Sequence, residues 1–144
     1  MSELDAGRLA AVVSPLRRVL LVAARSREHL PDVPDAQIEV IRALPAGTVL
    51  APSALADRLG VQRSTISNLL KAMERSGLVA RRPAAGDGRG VEVQASDRAL
   101  DLFSRFDRAS AQVVTEAATG LSPADRAAIA AAIPALERLR DALG

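Results

Sequence analysis

From Pro52 to Val93 the chain reads PSALADRLGVQRSTISNLLKAMERSGLVARRPAAGDGRGVEV, and its hydrophobic period changes from helical to strand-like within 42 residues. Pro52 in a first turn, followed by Leu55, Ala56 and Leu59, gives a short helix that Gly60 closes. A turn at Gly60-Val61 launches a second helix. At about 100° per residue its Ile66, Leu69, Leu70 and Met73 gather on one side, and Arg63, Ser64, Ser67, Asn68, Lys71 and Arg75 on the other. Gly77 stands where a left-handed residue ends a helix. Leu78 to Arg82 then reads as a strand, Pro83 to Gly90 as a Gly-rich tip, and Val91 to Gln94 as a returning strand with period two.

That order is a winged helix-turn-helix. Ser, Thr and Asn are poor helix formers, so a row of them on an exposed helix face lowers its propensity unless the face is used. At the start of the second helix Gln62, Arg63, Ser64 and Thr65 suit base edges in a DNA groove, Arg matching guanine and Gln or Asn matching adenine. Ser67, Asn68 and Lys71 continue that face. Arg75, Arg81 and Arg82 are placed to meet phosphates, and Arg89 near the hairpin tip suits an adjacent minor groove. Net charge is only +2, but residues 51–95 carry seven cationic side chains against four acidic ones, which suits phosphate contact. Plain solvent exposure is the competing reading of both the helix face and the hairpin.

The flanks are helical. Leu9, Val12, Val13, Leu16, Val19, Leu20 and Ala23 make a long amphipathic helix from about Asp5 to Leu30, with a kink expected at Ser14-Pro15. LPDVPD links it to a second helix through Gln37, Ile38, Val40, Ile41 and Leu44, for which Asp35 is the expected cap. Pro45-Ala46-Gly47 ends that helix, and Thr48-Val49-Leu50 suits a stub strand against the hairpin. Beyond the hairpin a helix is expected over 97–118 with Leu100, Phe103, Phe106, Val113 and Val114. Ser122-Pro123 then starts a last helix to Leu143 that Pro134 should kink. Burying Leu4, Leu9, Val12, Ile129, Ile133, Leu136, Leu139 and Leu143 inside one small subunit would be difficult, so these helices read as a dimerisation region, the alternative being that they finish a monomer core. A two-fold dimer would set two recognition helices about one DNA turn apart on a pseudo-palindromic operator.

The residues VQRSTISNLLKAMERSGLVARR resemble the MarR (multiple antibiotic resistance regulator) family of bacterial transcription factors. They show its polar-Ser-Thr-aliphatic-Ser start, its Met-Glu-x-x-Gly-Leu-Val-x-Arg exit and, further on, Asp-x-Arg at Asp87-Gly88-Arg89. DAQIEVIRAL and the long terminal helices extend the resemblance over the whole chain. It implies one domain over 1–144, mainly α with a small β-wing, its winged helix at about 35–95 and dimerisation helices at about 5–30 and 97–143. It also implies a homodimer with intertwined ends, and release from double-stranded DNA by a small organic ligand, an oxidised cysteine or a metal. The sequence departs from the family pattern at Gln62, where Ser, Asp or Asn usually caps the recognition helix, and at Ala51, where Ser or Thr usually precedes Pro52. Gly88 and Gly90 flank Arg89 where polar or basic residues are common, and Ser96 replaces a capping Thr.

The composition narrows the switch. There is no cysteine, which excludes disulfides, thiol redox sensing and Cys-containing metal sites. His29 is the one histidine, so a metal site would need carboxylates throughout; no metal and no cofactor are expected, and His29 reads as a solvent-facing residue at a helix end. An organic or anionic effector remains, in an aliphatic pocket given two Phe and no Tyr or Trp, with Arg17, Arg18 or Arg25 as anion partner. The chain shows no Ser-His-Asp set, phosphate loop or paired carboxylates, and so no enzyme is expected. No apolar run reaches the roughly 18 residues of a membrane span, and the N-terminus lacks a signal-peptide pattern, so the expected location is cytoplasmic with no membrane partner. The function that follows is a dimeric sequence-specific DNA-binding regulator, expected to be a repressor. The alternative is a winged-helix protein-interaction module without DNA binding.

Overall fold

A computed structural model describes residues 3–84 and 90–144. Its elements are α1 (Ala6–Glu28), α2 (Asp35–Arg42), α3 (Pro52–Leu59), α4 (Arg63–Arg75), β1 (Val79–Pro83), β2 (Val91–Ala95), α5 (Asp97–Ala118) and α6 (Pro123–Leu143). The chain divides into two compact units, one of Met1–Leu30 with Phe106–Gly144 and one of Pro31–Arg105.

The unit Pro31–Arg105 holds the main core. Val40, Ile41 and Leu44 from α2 and its exit, Leu55 and Ala56 from α3, and Ile66, Leu70 and Met73 from α4 are buried together with Leu78, Val79, Val93 and Ala99. Full burial of a Leu or Ile side chain contributes roughly 1.5–3 kcal/mol, so the inward faces of α2, α3 and α4 fix the unit. β1 and β2 form an antiparallel hairpin in the register Val79↔Ala95 to Pro83↔Val91.

Several local expectations change here. Pro34, not Asp35, is the N-cap of α2: its carbonyl accepts from the N–H groups of Gln37 (2.9 Å) and Ile38 (3.1 Å), and no side chain caps the helix. Proline has its φ fixed and no N–H to satisfy, so it can precede the first turn. Asp35 becomes the first helical residue, where its charge still complements the helix dipole. The stub strand contracts to one bridge, Leu50 to Val93, with N–H to carbonyl bonds of 3.0 and 2.8 Å. Thr48 is lost to it because its N–H closes a turn onto the Pro45 carbonyl at 2.9 Å, with Gly47 at φ 82° as a type II turn demands. Likewise β1 starts at Val79, since the Leu78 N–H is taken by the Met73 carbonyl in the turn that closes α4.

The unit of α1, the later part of α5 and α6 is built differently. Its buried residues, among those described, are Ala24, Phe106 and Ala109, with Leu21 and Leu30 packed on them. Asp5 caps α1 by accepting from the Arg8 N–H at 2.9 Å, and Ser122 caps α6 by accepting from the Asp125 N–H at 3.0 Å. Both helices run unbroken through their prolines, Pro15 and Pro134. The carbonyl that each proline leaves unpaired lies on an exposed stretch where water can reach it. α1 ends with His29 exposed and left-handed at φ 50°. α6 buries none of its residues: Ile129, Ile133, Leu136, Leu139 and Leu143 are exposed, as are Val12, Val13, Leu16, Val19 and Val22 of α1. Among the described residues no helix is long and apolar enough to cross a membrane.

Candidate nucleic-acid interface

The position of α4 follows from how both its neighbours end. α3 closes on Gly60 at φ 66°, with the Gly60 N–H on the Asp57 carbonyl (3.3 Å) and the Val61 N–H on the Ala56 carbonyl (3.0 Å). The sharp reversal places Gln62 as N-cap of α4, in extended conformation and without a side-chain cap bond, so the departure seen at Gln62 in the sequence carries through to the structure. α4 closes in the same way on Gly77 at φ 75°, with the Leu78 N–H on the Met73 carbonyl at 2.8 Å. Two side chains beyond the hairpin then hold that end. Ser96 Oγ donates to the Gly77 carbonyl at 2.7 Å while accepting from the Ala99 N–H at 3.1 Å, and Arg98 Nη1 donates to the Ser76 carbonyl at 2.5 Å. Ser96 therefore caps α5 as its place in the sequence suggests. Arg98 was missed by sequence reasoning, because a carbonyl partner 22 residues away leaves no local signal.

With both ends held, α4 turns Ile66, Leu70 and Met73 into the core and half-buries Leu69. Gln62, Arg63, Ser64, Thr65, Asn68, Lys71 and Arg75 are exposed, and Ser67 lies half-buried at the border of that face. The residues singled out on the helix thus share one surface, with cationic groups at both ends and neutral hydrogen-bonding groups between.

The hairpin cations are more constrained. Arg81 is half-buried on β1 with its Nε 3.1 Å from Glu74 Oε2, an ion pair that ties the hairpin to the last turn of α4. Arg82 is exposed and pairs across the hairpin with Glu92 at 3.7 Å. Asp87 and Arg89 lie outside the described residues. Glu74 is a second positioning residue that the sequence did not disclose, since its partner is on another element.

In the other unit, a groove of about 660 Å³ between α1 and α5 is lined by Ala23, Ser26, Arg27, Val113, Glu116 and Ala117. Arg17, Arg18 and Arg25 do not line it. Its cation is Arg27, which is hydrogen-bonded and ion-paired to Glu116. The bond from Arg27 holds the Glu116 carboxyl below its ordinary range, and the same bond raises the Arg27 guanidinium. Among the described residues no group of three or more His, Cys, Asp or Glu side chains could hold a metal ion.

Comparison with known proteins agrees with this geometry. The MarR family model matches residues 32–90, so the resemblance carried by the α4 and hairpin sequence holds. No curated protein matches the chain in sequence. Its fold is similar to that of wild-type apo MarR from E. coli, at 21% identity over 94% of this chain and 98% of that one, with a TM-score of 0.72. Similar too is Streptococcus pneumoniae FabT, whose structure is of a complex with DNA, at 18% identity over 97% of this chain and 100% of that one, TM-score 0.74. The PcaV transcriptional regulator of Streptomyces coelicolor, solved with its natural ligand, gives 22% identity over 100% of both chains and a TM-score of 0.65. Among the described residues, a mostly helical chain with one two-stranded antiparallel sheet is what the winged-helix reading required.

Proposed function

We propose that this chain, which carries the winged-helix fold of the MarR-family regulators, is a dimeric, sequence-specific DNA-binding transcriptional regulator that acts in the cytoplasm as a repressor. The observation that carries the reading is the two-sided α4. Its aliphatic side is locked in the core, while Gln62, Arg63, Ser64, Thr65, Ser67, Asn68 and Lys71 line the outer face. Such a face matches the donor and acceptor pattern of a major groove. Arg75 and Arg82 lie exposed near the end of α4 and on β1 for phosphate contact, and Arg81 braces the hairpin through Glu74; Asp87 and Arg89, outside the described residues, complete the proposed DNA-binding set. The DNA complex of the similar FabT supports the same use of the fold.

The chain acts as one functional domain, its terminal helices serving a second copy. Exposed aliphatics on α1 and α6 leave a large apolar surface, of the kind that marks an interaction site on a soluble protein. A two-fold dimer reads an inverted repeat, and a small organic or anionic ligand relieves repression. PcaV, with its natural ligand, supports the last step by analogy of fold. The test is selection of duplexes from a random-sequence library by the purified chain. Enrichment of an inverted repeat with half-sites about 10 bp apart is expected. Enrichment of no sequence would favour a protein-interaction module instead.

A further inference from the structure

α3 and α4 end in the same turn, yet the residue that follows each closing glycine behaves differently. After Gly77, Leu78 folds back into the core beside Met73 and is 3% exposed, as an apolar residue at that position ordinarily does. After Gly60, Val61 makes the matching backbone bond to Ala56 but the residue is left 39% exposed. Val61 stands just before the N-cap of α4, where an apolar residue can pack toward Ile66 in the first turn, yet more than a third of it stays in solvent. Among the described residues of the unit Pro31–Arg105, the large aliphatics left exposed are Val61 and Val91, the second of them on the hairpin opposite Pro83. Val61 directly precedes Gln62, Arg63, Ser64 and Thr65, the most groove-suited part of α4.

In the major groove thymine alone presents an apolar group, its 5-methyl, and aliphatic side chains recognise it by contact. We propose that Val61 reads a thymine 5-methyl group at one edge of the half-site, and so sets specificity at a position that the polar residues of α4 do not cover. The inference rests on the DNA-binding reading above.

The test uses a duplex recovered by selection with the full chain, in which each thymine of one half-site is replaced singly by deoxyuridine. Deoxyuridine keeps every hydrogen-bonding group and loses only the methyl. For the wild-type chain, one replacement is expected to weaken binding about fourfold, the worth of one buried methyl-sized group. In Val61→Ala the same replacement should change affinity by less than about 1.5-fold, with the chain still folded at the assay temperature by its thermal unfolding curve. Val91→Ala, an equivalent truncation elsewhere on the unit, should retain the fourfold sensitivity. A selected duplex whose deoxyuridine replacements are all without effect, or whose sensitivity survives Val61→Ala, overturns the assignment and leaves the DNA-binding reading standing. Failure to select any duplex overturns both.

Discussion

Single residues hold the reading face in place through identifiable bonds. Gly77 lies at φ 75°, and a Cβ there would meet nothing closer than Arg98 Nη1 at 3.7 Å, so the conformation and not the space opposes substitution. Gly77→Ala is expected to cost about 1–2 kcal/mol in denaturant unfolding. Ser96→Ala removes both a helix cap and the bond to the Gly77 carbonyl, and should cost a comparable 1–2 kcal/mol, about the worth of a lost cap. Arg63→Ala should leave unfolding unchanged but weaken duplex binding, because Arg63 is exposed and bonded into no core. The pair Arg27–Glu116 has a pH signature. Glu116 is held below its ordinary range by the hydrogen bond from Arg27, so the native chain binds that proton less readily than the unfolded chain. Its contribution is complete above the ordinary carboxylate range and is lost as pH falls through the lower native value. The Glu116 side chain is largely exposed, so the effect is small. Glu116→Gln should hardly alter stability at neutral pH and should flatten the acid limb of a stability-pH curve.

At the level of elements, the amphipathic faces were legible and the tertiary closures were not. Ile66, Leu70 and Met73 fell on one side of α4 from spacing alone, and they are buried as that spacing requires. Leu70→Ala should therefore cost roughly 2–5 kcal/mol in unfolding, whereas Lys71→Ala, one position along on the outer face, should cost nothing measurable. Asp35 misled because a capping residue is recognised by type, while a proline whose carbonyl starts the helix displaces it without any side-chain signal. Thr48 and Val49 misled because β-branched residues suit a strand, but the Thr48 N–H is taken by the turn at Gly47. Arg98, Glu74 and the pairing of Arg81 were invisible because each depends on an element distant in sequence. On the candidate face, by contrast, every residue but the half-buried Ser67 is exposed as the periodicity implied.

For the whole molecule, the two units differ in how much of their apolar surface is covered. The unit Pro31–Arg105 buries a continuous core, whereas in the other α6 buries nothing and exposes five large aliphatics. If a second copy covers them, Ile129→Asp with Ile133→Asp should convert a dimer into a monomer in sedimentation experiments. The melting temperature of the wild-type chain should also rise with protein concentration. Loss of the second copy should weaken binding to an inverted repeat far more than binding to a single half-site. The central claim is that the outer face of α4 engages DNA phosphates and bases. Its most direct test is the affinity for a selected duplex, measured across a salt series for the wild-type chain and for Arg63→Ala with Lys71→Ala. The expected result is a log-log plot that falls steeply with salt for the wild type, by about 0.9 per phosphate contacted, with a lower affinity for the double variant at every salt concentration. An affinity indifferent to salt and equal in the two proteins would contradict it.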